Sequence, residues 1–478
     1  MPSVEALWLA LREDADRPAL KAGDAVVTCG ALVNAIARRR AVLDETGASR
    51  VALALDNGIE WAAWDLALLF SDRVCVPVPG FFSPAQQCHV LESAGVDTCI
   101  GADPPPGAAG FERQSPGVWT RGVAQAAALP EGTRKITYTS GTTGTPKGVC
   151  LDAKALLAVA GSVHQASAAL DIRHHLCVLP LATLLENVAG LYAPLLKGAC
   201  VDLRPMQEIG LKGASGFDVG AFLRVLHESR PHSVILLPQL LLALVAAAEA
   251  GHRPPASLRF IAVGGARVAP SLLHRADSLE LPVYEGYGLS ECASVACLNT
   301  PQARRIGTVG RPLPHVELRV ADDGEIHVRG ARMLGYVGEA PHGDEWLGTG
   351  DLGKVENGYL TLIGRRKSLF ITAYGRNVNP EWVEAELVLQ APIAQAWLHG
   401  EARAENVAVL VPRGADVGDA EIQAAVDRVN ERLPDYARVH RWQRAREPFT
   451  PANGFATPNG RLRRDALAAT HFPHEASA

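Results

Sequence analysis

Short apolar runs alternate with helix-length segments along the first part of the chain. The pattern predicts strands at Val51–Leu55, Val74–Val78 and Asp97–Gly101, separated by helices at Glu60–Phe70 and Pro84–Ala94. This order is typical of parallel strands joined by crossover helices. We therefore predict a βα-alternating, parallel sheet here.

A second βα-alternating block follows residue 135. Its predicted strands are His175–Leu179, Ala199–Leu203, Ser233–Leu237 and Leu258–Val263. Its predicted helices are Leu184–Leu196, Phe217–Ser229, Gln239–Glu249 and Pro270–Ser278. Since ligands of such sheets bind at the carboxyl ends of the strands, we expect a site there.

The pattern changes again from about Thr308, where short β runs with tight turns predict a small antiparallel unit. A compact mixture of helices and strands follows Gly364. The predicted fold class is therefore α/β, with two βα-alternating sheets and a small β subdomain in a large N-terminal domain. The predicted boundaries are 1–364 for that domain, with subdomains of about 1–130, 131–305 and 306–364, and 365–478 for a small, mobile α+β C-terminal domain.

Composition narrows the functional classes. A chain of 478 residues with 48% apolar and 20% charged residues is typical of a folded protein with several domains. The formal net charge of -5 gives no basic excess for a nucleic acid, so we expect no nucleic-acid partner. The nine cysteines are scattered without a CxxC pair, which disfavours a disulfide framework or a zinc site.

No signal peptide or membrane span is predicted. The longest apolar stretch, Val234–Ala250, is interrupted by Pro238 and is shorter than the roughly 20 residues that a span needs. We therefore expect a cytoplasmic protein. Lysine is scarce: the chain has eight, and Lys367 is the last.

One segment has the composition of a phosphate-binding loop. It follows the predicted strand Lys135–Tyr138 and reads TSGTTGTPKG over residues 139–148. Glycines allow backbone N–H groups to approach phosphate oxygens, hydroxyls donate further hydrogen bonds, and a lysine adds charge. The candidate phosphate ligands are Thr139, Ser140, Gly141, Thr142, Thr143, Gly144 and Lys147.

This loop and four further motifs resemble the adenylate-forming superfamily of acyl-CoA synthetases, carrier-protein adenylation domains and luciferases. The other motifs, in the same order as in that family, are VGGA (263–266), YEGYGLSE (284–291), GTGD (348–351) and GRRK (364–367). The resemblance implies that ATP is bound by the loop and by Gly264, Gly265, Ala266, Glu285, Gly286, Tyr287, Gly288, Ser290, Asp351 and Arg365.

The resemblance also implies a two-step reaction with ATP and Mg²⁺. A carboxylate attacks the α-phosphorus to give acyl-AMP and pyrophosphate, and a thiol then displaces AMP. Glu291 and Thr139 are the implied magnesium ligands, a hard-oxygen chemistry that suits this ion. Lys367 is the implied hinge about which the C-terminal domain rotates, and Gly375 the implied thiol-tunnel residue.

The chain departs from the family at one catalytic position. The family has a lysine in a Gly-Lys pair near the C-terminus, whereas Arg461 stands here. Arginine keeps the charge but not the geometry of an ammonium. The expected catalytic residues are Arg461, Lys147 and Glu291, and two alternatives stay open: Arg461 serves adenylation, or adenylation is impaired.

The segment 179–190 resembles the equivalent stretch of long-chain fatty acyl-CoA synthetases, with Thr183 where they have histidine. It implies a medium or long acyl chain or another apolar acid. The implied acid-binding residues are Thr183, Asn187, Val188, Gly265 and Gly288. Glu186 is interpreted as structural, although it could pair with an amine.

The acceptor is expected to be CoA, and the phosphopantetheine of an acyl carrier protein is the alternative. A degenerate member that binds nucleotide or acyl ligand without turnover is the third hypothesis. A monomer or homodimer is expected.

Overall fold

Two large mixed sheets organise the first part of the chain. The structure is a computed structural model that describes residues 2–123, 125–139, 146–212, 216–457 and 460–472. Ser140, Gly141, Thr142, Thr143 and Gly144 of the predicted phosphate loop lie outside these residues.

The strands of the structure are short. In chain order they are β1 (Pro18–Ala22), β2 (Ala25–Thr28), β3 (Arg50–Leu53), β4 (Val74–Pro77), β5 (Thr98–Ile100), β6 (Glu112–Ser115), β7 (Val118–Thr120), β8 (Lys135–Thr139), β9 (Lys147–Leu151), β10 (His174–Cys177), β11 (Cys200–Leu203), β12 (Leu211–Lys212), β13 (Gly216–Phe217) and β14 (Ser233–Leu236). They continue with β15 (Phe260–Val263), β16 (Val283–Leu289), β17 (Ser294–Leu298), β18 (Arg311–Pro312), β19 (Val316–Val320), β20 (Glu325–Gly330), β21 (Gly335–Tyr336), β22 (Leu347–Glu356), β23 (Tyr359–Arg365), β24 (Phe370–Ile371), β25 (Asn377–Val378), β26 (Ile393–His399), β27 (Asn406–Pro412) and β28 (Val439–Arg444).

The helices fill the connections. They are α1 (Val4–Arg12), α2 (Cys29–Glu45), α3 (Ile59–Leu69), α4 (Pro84–Ser93), α5 (Ala153–Ala166), α6 (Ala193–Lys197), α7 (Met206–Ile209), α8 (Val219–Ser229), α9 (Pro238–Glu249), α10 (Pro270–Ser278), α11 (Pro380–Val388), α12 (Asp419–Asn430) and α13 (Arg464–His471). Among the described residues, no helix has the length and apolar character required to cross a membrane.

The α/β class and the two βα-alternating blocks are confirmed, but the sheets are mixed rather than parallel. The nine-stranded sheet runs β18-β17-β16-β15-β14-β10-β11-β1-β2, and the eight-stranded sheet runs β21-β9-β8-β4-β3-β5-β7-β6. Their centres are parallel, while β2, β6, β7, β9, β17, β18 and β21 pair antiparallel. Short connections such as that from β16 to β17 permit antiparallel pairing without a crossover helix.

The expected subdomain boundaries near residues 130 and 305 do not follow the sheets. Strands β1 and β2, from the start of the chain, join the nine-stranded sheet. Strands β8 and β9 join the eight-stranded sheet. Strand pairing therefore interleaves the two blocks, a long-range feature that the local pattern does not contain. The expected β unit is present as the sheet β19-β20-β22-β23.

The helix predicted over Leu184–Leu196 is also different. It begins as a π-helix over Glu186–Tyr192 and continues as α6. Pro194 has no N–H to donate to the α-helical ladder, which favours a changed hydrogen-bond pattern in the preceding turn.

Helix α3 packs against strands of both large sheets, contacting β3 and β4 of one and β1 of the other. Its buried positions, Trp61 to Leu69, are apolar except for Asp65, which is 0% exposed. A buried carboxylate requires compensating partners, since its desolvation is costly.

The partners of Asp65 come from both blocks. Lys135 on β8, itself 2% exposed, donates to Asp65 Oδ1 at 2.6 Å. Tyr192 donates its hydroxyl to Asp65 Oδ2 at 2.6 Å, and Asn187 donates to the same oxygen at 3.0 Å. Lys135 also donates to the hydroxyl oxygen of Tyr192 at 2.9 Å and to Asn187 Oδ1. The Asp65 network thus joins α3, β8 and the π-helix.

Asp65→Asn leaves the Lys135 ammonium buried without its counter-charge. We expect a loss of about 3–5 kcal/mol in the free energy of unfolding, the usual cost of breaking a buried pair. Urea titration followed by tryptophan fluorescence measures it.

Asp72→Asn is the matched control, because Asp72 pairs with Arg134 at 2.6 Å but its side chain is 90% exposed. Its loss should stay below about 1 kcal/mol. Equal losses in the two variants would contradict the structural role given to the Asp65 network.

Candidate active site

A large cavity, here called the central cavity, lies where the strands of the nine-stranded sheet end. Its volume is about 2750 Å³. The wall is built by the segments that follow β14, β15 and β16, by β22 and β23, by α11 and by residues 460–466. Pockets for one small molecule are usually smaller, about 300–1,000 Å³, so this cavity has room for more than one ligand.

A carboxylate and a guanidinium face each other across two antiparallel strands. Asp351 on β22 pairs in register with Arg365 on β23. Arg365 Nε lies 3.0 Å from Asp351 Oδ1, and the Tyr287 hydroxyl donates to Asp351 Oδ2 at 2.7 Å. Burial raises the pKa of Asp351, while Arg365 and Tyr287 oppose the rise. The pair gives the cavity an oriented carboxylate at the point where the chain leaves β23.

A bulge in β16 positions the next acidic residue. The register of β16 against β17 shifts between Tyr287 and Gly288. A Cβ atom at Gly288 would lie 1.7 Å from the carbonyl oxygen of Ser294, so only glycine fits. The strand then bends into the short 3₁₀ helix Ser290–Cys292, which carries Glu291. The Tyr336 hydroxyl donates to Glu291 Oε1 at 3.0 Å.

The two ends of the predicted phosphate loop are held by a β-ladder. Thr139 on β8 pairs with Lys147 on β9, so the two residues lie side by side at the cavity. The Lys147 ammonium lies 3.4 Å from Glu339 Oε1 and 5.1 Å from the ring centre of Tyr336. Its side chain is 57% exposed, which leaves the charge available to an anion in the cavity.

The C-terminal part of the chain contributes Arg461 to the same cavity. The side chain of Arg461 is exposed to the open cavity, and desolvation by the cavity walls together with the positive charge of Arg365 lowers its pKa. The carboxylates of Glu381, Asp351 and Glu291 act in the opposite direction. Arg461 therefore lies within electrostatic reach of Asp351 and Glu291, although it follows both by more than 100 residues along the chain.

Glu285 lines the cavity on β16. Burial raises its pKa to about 8, and the charge of Arg267 only partly offsets the rise. At neutral pH this side chain is therefore largely protonated and can donate a hydrogen bond, unlike the exposed carboxylates of the surface.

Most of the residues predicted for the site meet at the central cavity. The described ones that line it are Thr139, Lys147, Thr183, Gly264, Gly265, Ala266, Glu285, Gly286, Tyr287, Gly288, Ser290, Glu291, Asp351, Arg365, Lys367 and Arg461. Lys367 lies in an exposed turn directly after β23.

Three predicted residues do not line the cavity. The side chain of Asn187 belongs to the Asp65 network, and Val188 is 0% exposed in the core. Both therefore face away from any acid in the cavity, because the π-helix turns them inward. Gly375 lies in the exposed turn between β24 and β25, at φ +69°.

The sequence motifs missed other residues of the site. Tyr336 and Glu381 reach the groups around Glu291 and Arg461 from distant segments. His175 also lines the cavity, and its Nε2 lies 3.1 Å from Oε1 of the buried Glu186. No local pattern marks these residues, since each acts through a tertiary contact.

The fold and this cavity define a mixed α/β protein with a ligand site at the strand ends. A family model described as "AMP-binding enzyme" matches residues 7–337. The chain belongs to this family of AMP-binding enzymes.

Curated relatives are named as CoA ligases. The chain is 34% identical over 235 residues to the long-chain-fatty-acid–CoA ligase FadD15 of Mycobacterium bovis, covering 43% of this chain and 39% of that protein. The match thus spans about two fifths of the length of that relative. It is 29% identical over 440 residues to the 3-[(3aS,4S,7aS)-7a-methyl-1,5-dioxo-octahydro-1H-inden-4-yl]propanoyl:CoA ligase of Mycobacterium tuberculosis, covering 82% and 84% of the two chains.

A solved structure shares the fold over nearly the whole chain. The anthranilate CoA ligase AuaEII, crystallised with anthranoyl-AMP, superposes with a TM-score of 0.82 at 19% identity, covering 99% of this chain and 98% of that one.

The raised pKa of Glu285 predicts a pH-dependent stability. Its pKa is about 8 in the fold against 4.5 for the ordinary group, so the folded state binds more protons between these values. Its contribution to stability is therefore present at low pH and lost as pH rises from about 4.5 to 8. Glu285→Gln should remove this slope.

Urea midpoints at pH 5 to 8 measure the effect on the ligand-free protein. The control is Glu228→Gln, at an exposed position on α8, which should follow the native protein. Parallel pH curves for the native protein and Glu285→Gln would show that Glu285 titrates normally.

Proposed function

We propose that the chain activates a carboxylic acid with ATP and transfers the acyl group to CoA. In the first step a carboxylate oxygen bonds to the α-phosphorus and pyrophosphate leaves. In the second step the thiol sulfur bonds to the acyl carbon, AMP leaves and the thiol proton is released. Little covalent chemistry is required of the protein, so positioning and charge stabilisation dominate.

The observation that carries this proposal is the meeting of Arg461 with Asp351 and Glu291 in one cavity. A cation supplied by the C-terminal part can neutralise charge that develops between an attacking carboxylate and a phosphate. Arginine suits this role because its planar guanidinium group can donate hydrogen bonds to a carboxylate oxygen and a phosphate oxygen at the same time. The proposed catalytic residues are Arg461, Lys147 and Glu291.

The nucleotide would lie along the strand ends. Asp351 is suited to accept from both ribose hydroxyls, and Arg365 holds that carboxylate in place. The adenine would pack on Gly264, Gly265 and Ala266, where the chain has little side-chain bulk. The phosphates would take hydrogen bonds from Ser290 and from the loop that begins at Thr139.

Glu291 and Thr139 fit a Mg²⁺ ion by their chemistry. Both are hard oxygen donors at the cavity, and Glu291 uses only one carboxylate oxygen for Tyr336 among the described contacts. A bound Mg²⁺ would neutralise charge on the phosphate oxygens. Tyr336 orients Glu291 for this purpose.

The acid would occupy the apolar part of the cavity beside Thr183, Gly265 and Gly288. An apolar body is supported by a wall that includes Leu179 and Leu237, and by relatives named for fatty and ring-bearing acids. Thr183 donates its hydroxyl to the carbonyl oxygen of Pro180 at 2.6 Å and so presents its methyl group as packing surface.

The thiol step requires a rearrangement in this proposal. Gly375 lies outside the cavity, and a rotation about Lys367 would bring its turn to the acyl-adenylate. A domain boundary near residue 364 is supported by a separate hydrophobic cluster that includes Phe370, Val383 and Leu410. CoA is the proposed acceptor, and a carrier-protein phosphopantetheine is the alternative. We place the reaction in the cytoplasm, consistent with free thiols at all nine cysteines, and in a monomer or homodimer.

Pyrophosphate release from ATP and Mg²⁺ tests the proposal over a panel of fatty, aryl and amino acids, each with and without CoA. We expect release with apolar acids and AMP production that depends on CoA. AMP production that needs a pantetheinylated carrier would favour the carrier ligase. If the protein is folded and binds ATP but releases no pyrophosphate with any acid of the panel, the proposed turnover is excluded.

Arg461→Ala removes the cation proposed for the first step. Pyrophosphate release should fall by about 10²–10³, the usual loss for one group that stabilises transition-state charge. Thiol transfer from preformed acyl-AMP should fall far less, and Arg461→Lys should recover much of the first step.

The matched control is Arg432→Ala, at an exposed arginine of the C-terminal part. It should leave both half-reactions unchanged. Equal losses of both half-reactions in Arg461→Ala would contradict the assigned role.

A further inference from the structure

The lining of the central cavity includes residues of α5, α6, β10 and β14 in the nine-stranded sheet block, and this part is here called the deep pocket. Leu179 and Leu237 line it just after β10 and β14. The lining also includes the polar residues His164, His175 and Lys197. An alkyl chain alone does not require such groups.

Strand geometry sets the depth of the polar end. His175 on β10 pairs in register with Ser233 on the parallel strand β14. Each lies four residues before the leucine at the carboxyl end, Leu179 or Leu237. At about 3.3 Å per residue, the polar level lies about 13 Å below the level of the strand ends.

The His175 ring is fixed by two buried partners. Its Nε2 lies 3.1 Å from Glu186 Oε1, and its Nδ1 lies 2.9 Å from Ser233 Oγ. Glu186 is 0% exposed and also accepts from the backbone N–H of Leu179 at 3.2 Å. Both ring nitrogens are thus occupied. His175 contributes a rigid polar wall rather than a free ligand group.

His164 and Lys197 retain hydrogen-bonding capacity. His164 Nδ1 is buried and has no hydrogen-bond partner among the described residues. Burial lowers the pKa of His164, and the charge of Lys197 lowers it further, so the ring is neutral and close to the ammonium. Lys197 donates to the carbonyl oxygens of Ser167 and Leu170, each at 2.7 Å. An ammonium has three N–H donors, so one remains for a ligand.

An all-apolar ligand in the deep pocket would bury these groups without partners. Leaving a buried donor or acceptor without a partner costs its full desolvation penalty and so weakens binding. A ligand oxygen that accepts from Lys197, and from His164 in the appropriate tautomer, removes that cost. The positive charge of Lys197 favours a ligand group that accepts a hydrogen bond through oxygen over a group that donates one.

We infer that the acid activated here carries a carbonyl or carboxylate oxygen at the end remote from its reacting carboxylate, bound by His164 and Lys197. This inference rests on the proposed function and names its substrate class. The acid has an apolar body that fits the leucine-lined part of the pocket. Its far oxygen lies at the polar level set by His175 and Ser233.

Three acids of equal length test the inference: decanoic, 9-oxodecanoic and decanedioic acid. We expect kcat/KM for pyrophosphate release to be about tenfold higher for at least one oxygen-bearing acid than for decanoic acid. Lys197→Met and His164→Phe should each reduce that ratio several-fold. The control variant is Lys154→Met, because Lys154 is an exposed lysine on α5, the helix that carries His164. This variant should keep the ratio unchanged.

A merely structural role of Lys197 and His164 would lower activity with all three acids and leave the ratio unchanged. An unchanged ratio in both variants, or equal use of the three acids by the native protein, overturns the inference while the proposed function stands. If no acid releases pyrophosphate, the proposed function fails and calorimetric binding decides. Tighter binding of an oxygen-bearing acid than of decanoic acid then supports the inference, and equal binding overturns it.

Discussion

The buried Asp65 network is the constraint on which the rest of the structure depends. It joins a helix packed between the two large sheets to β8 of one and to the π-helix that adjoins the other. Both elements lead into the site: β8 ends at Thr139, and the π-helix follows Thr183. Removing one partner would leave a buried charge without its counter-charge. The network therefore fixes how the two blocks meet and where the cavity opens.

Some groups of the site are held in place by the strands, whereas others come from the C-terminal part of the chain. The Asp351–Arg365 pair and the bulge at Gly288 are built into strands, so their geometry is set when the sheets form. Arg461 comes from the C-terminal part and lies within electrostatic reach of Arg365 and of the carboxylates of Glu381, Asp351 and Glu291. In the proposed reaction this arrangement would serve adenylation, and the exposed turn of Gly375 would have to move for the thiol step. The proposed reaction therefore requires two arrangements of the C-terminal part.

The sequence predicted the α/β class, the central strands of both large sheets and the segments that carry the predicted site residues, since glycine-rich and acidic motifs mark the strand ends locally. It did not predict that β1 joins the nine-stranded sheet and β8 the eight-stranded sheet, because strand pairing depends on residues that are distant in the sequence. Asn187 was expected to bind the acid but faces Asp65 instead, since a π-helix changes which side chains point inward. Tyr336, the partner of Glu291, had no local signal because it comes from a distant segment of the chain.

In the proposed reaction, an acyl-AMP forms in the central cavity. This step is tested most directly by supplying an acid labelled with ¹⁸O in its carboxylate, together with ATP, Mg²⁺ and CoA, and analysing the released AMP by mass spectrometry. Attack of the carboxylate on the α-phosphorus predicts one ¹⁸O atom in each AMP. Unlabelled AMP, or ADP as the nucleotide product, would contradict the account.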